Sequence, residues 1–445
     1  MAEGVREGAV SILTRVEQSR EHAEDLLNLY LGVKEELEER DRRLLTELTY
    51  GTLRMRGVCD GILKSYLHNW RALSPVVKNI LRLAVYQIIY THRIPPFAIV
   101  HEAVEQAKRV SPGHAKLVNA ILRKILLKKR EELLPESELT TPQSIARVYS
   151  HPLWLVSRWL KEWGIEETIK LCEANNDIPP RTLRVNTLKS SREEAKDTLS
   201  REGISVKETS YSPDGLFVLD RGFRWGASKA FREGWVVYQD EASQLISYLV
   251  SPLPGEEILD LCAGRGGKTF HLAALMKNEG KILSVDVEED KLVKLMNSAA
   301  LFGVSNIEVK RYDATEVPPY EFKERFHRVL IDAPCSGTGT LRRAPEIKWR
   351  LRPGDVEKMA QKQKRILDFA ALCVRKGGRV VYCTCSIMAE ENERVVEAFL
   401  REREDFESVS PSGMLSHLID GRGFFHTFPH RHGMDGFFAA VMVKK

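Results

Sequence analysis

The stretch Glu257-Ile-Leu-Asp-Leu-Cys-Ala-Gly-Arg-Gly-Gly-Lys-Thr-Phe270 decides the fold. Glu257–Cys262 is a short apolar run of strand length, a glycine-rich turn follows, and Thr269–Lys277 reads as a helix. The same alternation repeats downstream. Lys281–Asp286, Ile307–Tyr312, Val329–Asp332 and Gly378–Cys383 read as strands, and Asp290–Phe302, Asp355–Val374 and Glu391–Glu402 as helices. Short apolar strands separated by helices predict an α/β parallel sheet covered on both faces. The end differs: residues 423–430 and 435–445 are strand-like, with only the Arg431-His432-Gly433 turn between them. The sheet is therefore expected to finish on an antiparallel hairpin.

Working outward, residues 1 to about 135 read as all helix. Val5, Ala9, Ile12, Leu13 and Val16 keep the 3/4 spacing of a buried stripe, as do Val76, Ile80, Leu81, Leu83, Ala84 and Ile88. The Pro135-to-Pro142 connector marks a boundary. Between 175 and 235, Arg181–Thr187 reads as a strand, Ser191–Glu202 as a capped helix, and residues 204–207 and 215–219 as further strands. The expected organisation is an all-α domain over 1–140, a helical linker with a small α+β module over 141–240, and the α/β sheet domain over 241–445. Trp154, Trp159 and Trp163 are assigned to packing, the commoner role of tryptophan, rather than to base stacking.

Composition bounds the function. Lys+Arg exceeds Asp+Glu by 67 − 62 = 5, which permits an anionic partner without requiring one. The 43% hydrophobic content excludes disorder for most of the chain. The seven cysteines are odd in number and crowded after residue 260, which speaks against a disulfide framework and for a reducing compartment. Met1-Ala-Glu-Gly-Val-Arg-Glu7 leads into no apolar signal segment, and no uncharged apolar run approaches the ~20 residues that span a bilayer. A cytoplasmic protein is expected.

Open α/β sheets bind ligands at the carboxyl ends of their strands. After the first strand, Cys262-Ala-Gly-Arg-Gly-Gly-Lys268 lets backbone approach a ligand closely. The phosphate-loop pattern fails because Cys262 stands where its first glycine belongs, and Gly264-Arg-Gly266 is not completed to the dinucleotide pattern. The second strand ends at Asp286, suited to ribose hydroxyls, and the third at Asp313, within reach of an adenine amine. A glycine loop followed by two such acids describes an adenosine cofactor without a required triphosphate, and S-adenosylmethionine fits.

The fourth strand ends in Asp332-Ala-Pro-Cys335 and the fifth in Cys383-Thr-Cys385-Ser386. Adjacent strands bring these loops together. Cys383-x-Cys385 lacks the second close pair of a structural zinc site, and it is not the C-x-x-C of a redox site. No metal is expected. Strand alternation sends Cys383 to the core and leaves Cys385 at the loop. A thiolate suits addition to a ring carbon that is later released. Thiolate addition at C6 of cytosine makes C5 reactive toward a methyl sulfonium, and a neighbouring acid such as Asp332 stabilises the adduct through N3 and the amine.

These residues resemble the Sun/Nop family of RNA cytosine-5 methyltransferases, in its bacterial 16S ribosomal RNA branch. Asp332-Ala-Pro-Cys335 with Thr384-Cys385-Ser386 is the specific part. Arg40-Asp41-Arg42, Tyr50-Gly51 and Val118–Arg123 resemble the NusB fold, and Arg181–Thr187, Gln239–Ser243 and Asp435–Phe438 resemble further family segments. The resemblance implies a Rossmann-like class I methyltransferase sheet, mostly parallel with an antiparallel last strand, behind an all-α domain and a small α+β module. It implies Cys385 as covalent nucleophile, Cys335 as an aid to release and Asp332 as a contact to the base. It further implies Cys262, Ala263, Gly264, Arg265, Gly266, Gly267, Lys268, Asp286, Asp313 and Asp332 around S-adenosylmethionine, with 16S ribosomal RNA as partner and a monomeric enzyme. The loop departs from the family's usual Cys-Ala-Ala-Pro-Gly-Gly-Lys-Thr at Gly264-Arg265. Losing the proline frees φ, so a less preorganised loop is expected. A transfer RNA substrate, a vestigial fold that only binds RNA, and amine N-methylation are the competing readings. The paired cysteines oppose the second, and the absence of an acid/Asn-Pro-Pro-aromatic loop opposes the third.

Lys116, Arg123, Lys124, Lys128, Lys129 and Arg130 form either a solvated face or a phosphate-binding stripe. If the stripe binds phosphates, reversing the charge of Lys116, Arg123 and Lys124 weakens RNA binding and flattens its salt dependence in a filter-binding titration. Unchanged binding and slope would return the stripe to solvent.

Overall fold

The computed structural model describes residues 4–19, 21–34, 36–92, 94–134, 138–220 and 228–445. Pro135–Ser137 of the expected connector lie outside them. The chain divides into two compact units, one of residues 1–178 with 341–351 and one of 179–340 with 352–445.

The first unit is helical, as the 3/4 spacing predicts. Its central helix is Pro75–Tyr90, which Pro75 opens and on which Val77, Ile80, Leu81, Leu83, Ala84, Val85 and Ile89 are all buried. Val5–Gln18, Glu39–Arg54 and Pro96–Val110 pack around it. Arg82 is buried on this helix because two carboxylates meet it. It pairs with both oxygens of Asp60 (2.6 and 2.9 Å) and with Glu17 (2.9 Å). The basic helix stops at Leu126, earlier than its charge pattern suggests, and a separate turn runs over Arg130–Leu133. Helices Pro142–Val148 and Leu153–Asn176 pack with this unit rather than with the α+β module. Trp159 is buried there, in edge contact with His151.

Residues 341–351 complete the helical unit, although they lie deep within the sheet-forming half of the sequence. Lys348 is fully buried, its Nζ donating to the carbonyls of Arg54 (3.1 Å) and Ser150 (2.9 Å) and to Asn176 Oδ1 (3.1 Å). Burial, reinforced by the neighbouring Arg54, brings its pKa down to about 7. Trp349 Nε1 donates to Leu53 O at 2.7 Å, and Glu346 Oε1 accepts the Ala23 N–H at 3.1 Å.

The second unit opens with a small antiparallel sheet. Its strands are β1 (Arg181–Val185), β2 (Val206–Glu208), β3 (Gly215–Val218) and β4 (Val236–Tyr238), in the order β2-β3-β1-β4. Strand β4 was not anticipated from its sequence. The helix between β1 and β2 is Arg192–Arg201, and Ser191 caps it by accepting the Glu194 N–H.

The large sheet contains β5 (Glu257–Leu261), β6 (Lys281–Asp286), β7 (Ile307–Arg311), β8 (Phe326–Asp332), β9 (Val374–Thr384), β10 (Phe406–Ser408), β11 (Phe425–His426) and β12 (Phe438–Lys444). Its order is β10-β12-β9-β8-β5-β6-β7, with β11 on β12. Strands β5 to β9 pair in parallel, and β12 enters antiparallel between β9 and β10. Order reverses at β5, whose neighbours are β6 and β8, so a crevice opens at the carboxyl ends of these strands.

Several boundaries differ from expectation. Val374 opens β9 instead of closing a helix, since Pro353–Cys373 ends one residue earlier. The short edge strand β10 carries too little alternation to read from sequence. The strand expected over 423–430 is only Phe425–His426, and a helical turn, Pro429–His432, occupies part of the connection.

The hairpin connection packs closely on the loop that follows β8. Gly436 N donates to Gly339 O at 2.8 Å, and a Cβ on Gly339 would sit 1.9 Å from the Gly436 carbonyl oxygen. Gly339→Ala is expected to destabilise the protein by ~1–3 kcal/mol through overpacking, measured by urea unfolding.

Candidate active site

Parallel register brings the sequence-selected residues to one end of the sheet. Leu261 pairs with Ile331 across β5 and β8, and Asp332 with Cys383 across β8 and β9. The loops after these strands therefore share one edge.

After β5 the chain turns through left-handed conformations at Cys262 (φ 60°), Gly264 (φ 58°) and Gly266 (φ 85°). A Cβ on Gly266 would fall 2.7 Å from Leu295, so both conformation and space demand glycine. Gly266 N–H reaches Ala263 O at 3.0 Å, and the helix Gly267–Leu275 begins next. Gly264 explains the loop without the family proline. Its φ suits glycine, and its N–H is held at 2.9 Å by Asp286 Oδ2. Asp286 Oδ1 also accepts the Glu288 N–H at 2.9 Å. Arg265 is exposed.

Beside this loop lies a cleft of about 260 Å³, and Cys262, Gly264, Asp286, Asp313 and Asp332 are on its wall. Asp313 Oδ1 accepts from the backbone N–H (2.9 Å) and hydroxyl (2.8 Å) of Thr315, and these bonds hold its pKa below the usual carboxylate value. Ala263, Arg265, Gly266, Gly267 and Lys268 belong to the loop or helix behind the wall. Lys291 and Lys362 also line the cleft. Sequence reading did not select them, because isolated lysines on helices read as solvated faces.

Lys268 is buried and aims its ammonium at Asp332 Oδ2, 2.6 Å away. Burial disfavours its charge, but Asp332 outweighs burial and lifts its pKa above the ordinary lysine value. The Lys268 ammonium also stacks over the Phe437 ring at 5.4 Å. Asp332 Oδ1 faces Cys383 Sγ at 3.5 Å. Cys383 is fully buried, in the core position that alternation assigned to it, and burial pushes its thiol pKa well up.

Cys335 Sγ and Cys385 Sγ lie 3.4 Å apart. The contact with Cys385, followed by burial, raises the Cys335 pKa well above the ordinary thiol value. Either sulfur can donate its S–H to the other across this contact.

The small antiparallel sheet supports the glycine loop from behind. Buried Arg184 on β1 donates to Gly267 O at 2.7 Å and to Gln239 Oε1 at 2.5 Å, and burial lowers its pKa to about 10. Asp214 Oδ2 meets His271 Nε2 at 3.0 Å and the Tyr248 hydroxyl at 2.6 Å. Burial, then the charge of Arg184, brings the His271 pKa down to about 4. No motif marked Asp214 or His271, which are far apart in sequence.

A seven-stranded path with one antiparallel insertion, a glycine loop at the switch point and acids after successive strands define a class I methyltransferase. Family models match as 16S rRNA methyltransferase RsmB/F over residues 247–443, NusB family over 3–127, and a ferredoxin-like domain of RsmF/B-like methyltransferases over 151–222. A Bacillus subtilis protein named probable ribosomal RNA small subunit methyltransferase B is 37% identical, over 99% of both chains. Ribosomal RNA small subunit methyltransferase B of an Escherichia coli strain is 34% identical over 97% of both. The crystal structure of PH0851 superposes with a TM-score of 0.86 at 30% identity, covering 99% of this chain and 98% of that one. The chain belongs to the ribosomal RNA small subunit methyltransferase B family.

A histidine whose pKa is lowered on folding stabilises the protein above its unfolded pKa, near 6.5, and loses that contribution as pH falls toward the folded value of about 4. The His271 contribution should thus fade between about pH 6.5 and 4, and His271→Gln should flatten that part of the stability profile, measured by urea unfolding at stepped pH.

Proposed function

We propose that the protein methylates C5 of a cytosine in 16S ribosomal RNA, with S-adenosylmethionine in the cleft and Cys385 as covalent nucleophile. The observation that carries this reading is the pair of sulfurs, Cys335 and Cys385, 3.4 Å apart in the loops after β8 and β9, the first of which leaves Asp332 on the cleft wall.

The cleft fits the cofactor by its chemistry. The left-handed loop at Cys262 and Gly264 leaves backbone close to the cleft, and Asp286 and Asp313 meet the needs of ribose and adenine. Asp332 and the glycine loop lie toward the methionine end, with Lys268 behind Asp332. S-adenosylmethionine, when bound, supplies a methyl group on a positively charged sulfur.

The residues divide the remaining work. Cys385 adds its sulfur to C6 of cytosine, which makes C5 nucleophilic. Asp332 binds the base edge, accepting from the amine and from N3, which takes up the proton released by the Cys385 thiol as its sulfur adds. Lys268 fixes Asp332 in place for this. Cys335 lies 3.4 Å from the Cys385 sulfur, beside it as it attacks. After methylation, water takes the C5 proton as the Cys385 sulfur leaves C6, and the N3 proton returns to that sulfur, which restores the ring; Cys335 serves that release. The partner RNA and its class come from the family's relatives. The two-thiol arrangement gives a binding-only protein no evident use.

Cys335→Ala incubated with unmethylated 16S RNA and cofactor is expected to accumulate a protein–RNA adduct that survives denaturing gel electrophoresis. The double variant with Cys385→Ala should form none. Full turnover by Cys385→Ala alone would overturn the nucleophile assignment.

A further inference from the structure

Two residues follow the two thiols in sequence, Ser336 after Cys335 and Ser386 after Cys385. Both reach the same buried carboxylate, that of Glu391. Oε1 of Glu391 accepts the Ser336 N–H at 2.7 Å and the Gln363 amide at 3.2 Å. Oε2 accepts the Ser386 hydroxyl at 2.5 Å and the Ser336 hydroxyl. Each oxygen thus receives two donors, the pattern that suits an ionised carboxylate. Glu391 is fully buried, and no lysine or arginine is among these partners. Burial pushes the Glu391 pKa up, and the donors from Ser336, Ser386 and Gln363 pull against it only while both loops stay in place.

The surroundings extend the same connection. Gln363 also donates to Pro334 O at 3.0 Å, just before Cys335. Thr338 Oγ1 and Ser386 Oγ lie 3.0 Å apart, and Gly339 N–H donates to Cys385 O at 2.9 Å. Asn392 donates to Ser386 O at 2.8 Å and accepts from Thr384 Oγ1 at 2.6 Å. Of these residues Pro334 lines the cleft with Asp286 and Asp313, and it meets Gln363 through its backbone carbonyl.

We infer that Glu391 is a positioning residue for the two thiols, a buried clasp that holds the Cys335 loop to the Cys385 loop and sets the approach of the two sulfurs. The inference rests on the two-thiol reading above. A carboxylate is required because two of the donors are N–H groups and the two hydroxyls must be fixed as donors together. Its charge also acts on the chemistry. The groups facing Cys335 are Cys385, Glu391 and Tyr382, and Lys268 and Cys383 face Cys385. When ionised, Glu391 raises the Cys335 pKa, while the Lys268 charge lies on the side of Cys385.

Two variants test this. Glu391→Gln keeps size and removes charge, whereas Glu391→Asp keeps charge and shortens the reach. Misplacement of reacting groups by about 1 Å can cost roughly 100-fold in rate, so kcat for 16S RNA methylation should fall about 10- to 100-fold in both, with the KM for S-adenosylmethionine unchanged. Iodoacetamide labelling of Cys335, followed by peptide mass spectrometry across pH, should move to lower pH in Glu391→Gln and not in Glu391→Asp. A merely structural role would move cofactor KM along with kcat and would not separate the two variants by charge. Wild-type kcat in both variants, or identical labelling profiles, would overturn the inference. If Glu391→Gln fails to fold, Ser386→Ala removes one clasp donor and should lower kcat at constant cofactor KM, and its failure to do so would count equally against the clasp. An inactive wild type would instead strike the methyl-transfer reading and leave the labelling profiles to judge the clasp.

Discussion

Parallel pairing of β8 with β9 is the constraint on which the rest of the site depends. With Asp332 opposite Cys383, the first residues beyond the two strands emerge side by side. Parallel strands run the same way, so both chains leave the sheet at the same edge, and residues 50 apart in sequence bring their sulfurs to 3.4 Å. Pairing of β5 with β8 then places the glycine loop on the other side of Asp332. One carboxylate thereby faces the cleft, a buried lysine and a buried thiol.

The charged groups at this edge are held by geometry rather than by solvent. Lys268 is charged despite burial because Asp332 lies 2.6 Å away. Glu391 is buried without a cation among its partners and depends on donors from two loops. Asp260, buried on β5, accepts the Thr269 hydroxyl at 2.6 Å on one oxygen, and burial lifts its pKa to about 7. Each balance fails if a neighbouring loop withdraws its donor, so such groups tie the order of the loops to the integrity of the sheet beneath them.

The helical unit shows a different use of the chain. The sequence from β8 runs through the cysteine loop to Thr340, crosses into the helical unit for residues 341–351, and returns at Arg352. Lys348 is held there by two backbone carbonyls and an amide oxygen, three acceptors that match the three N–H groups of an ammonium, while burial and Arg54 pull its pKa down to about 7. The piece that follows the cysteine loop is in this way part of another unit's core.

Much of this was legible in the residues themselves. Period-2 and period-3.6 patterns are local properties of the chain, so the helical first part, the β/α alternation and the antiparallel finish could be read without coordinates. That the glycine loop, Asp286, Asp313, Asp332, Cys335 and Cys385 gather at one end of the sheet was legible, because strand ends are local too. The boundary at Val374 and the two-residue strand Phe425–His426 were not, since short edge segments owe their conformation to the strand they pair with. Local sequence carries no record of which distant donor will satisfy a buried group. The tertiary structure alone therefore decided that Glu391 joins two loops, that Arg184 supports Gly267, that Asp214 meets His271, and that residues 341–351 fill the core of the helical unit.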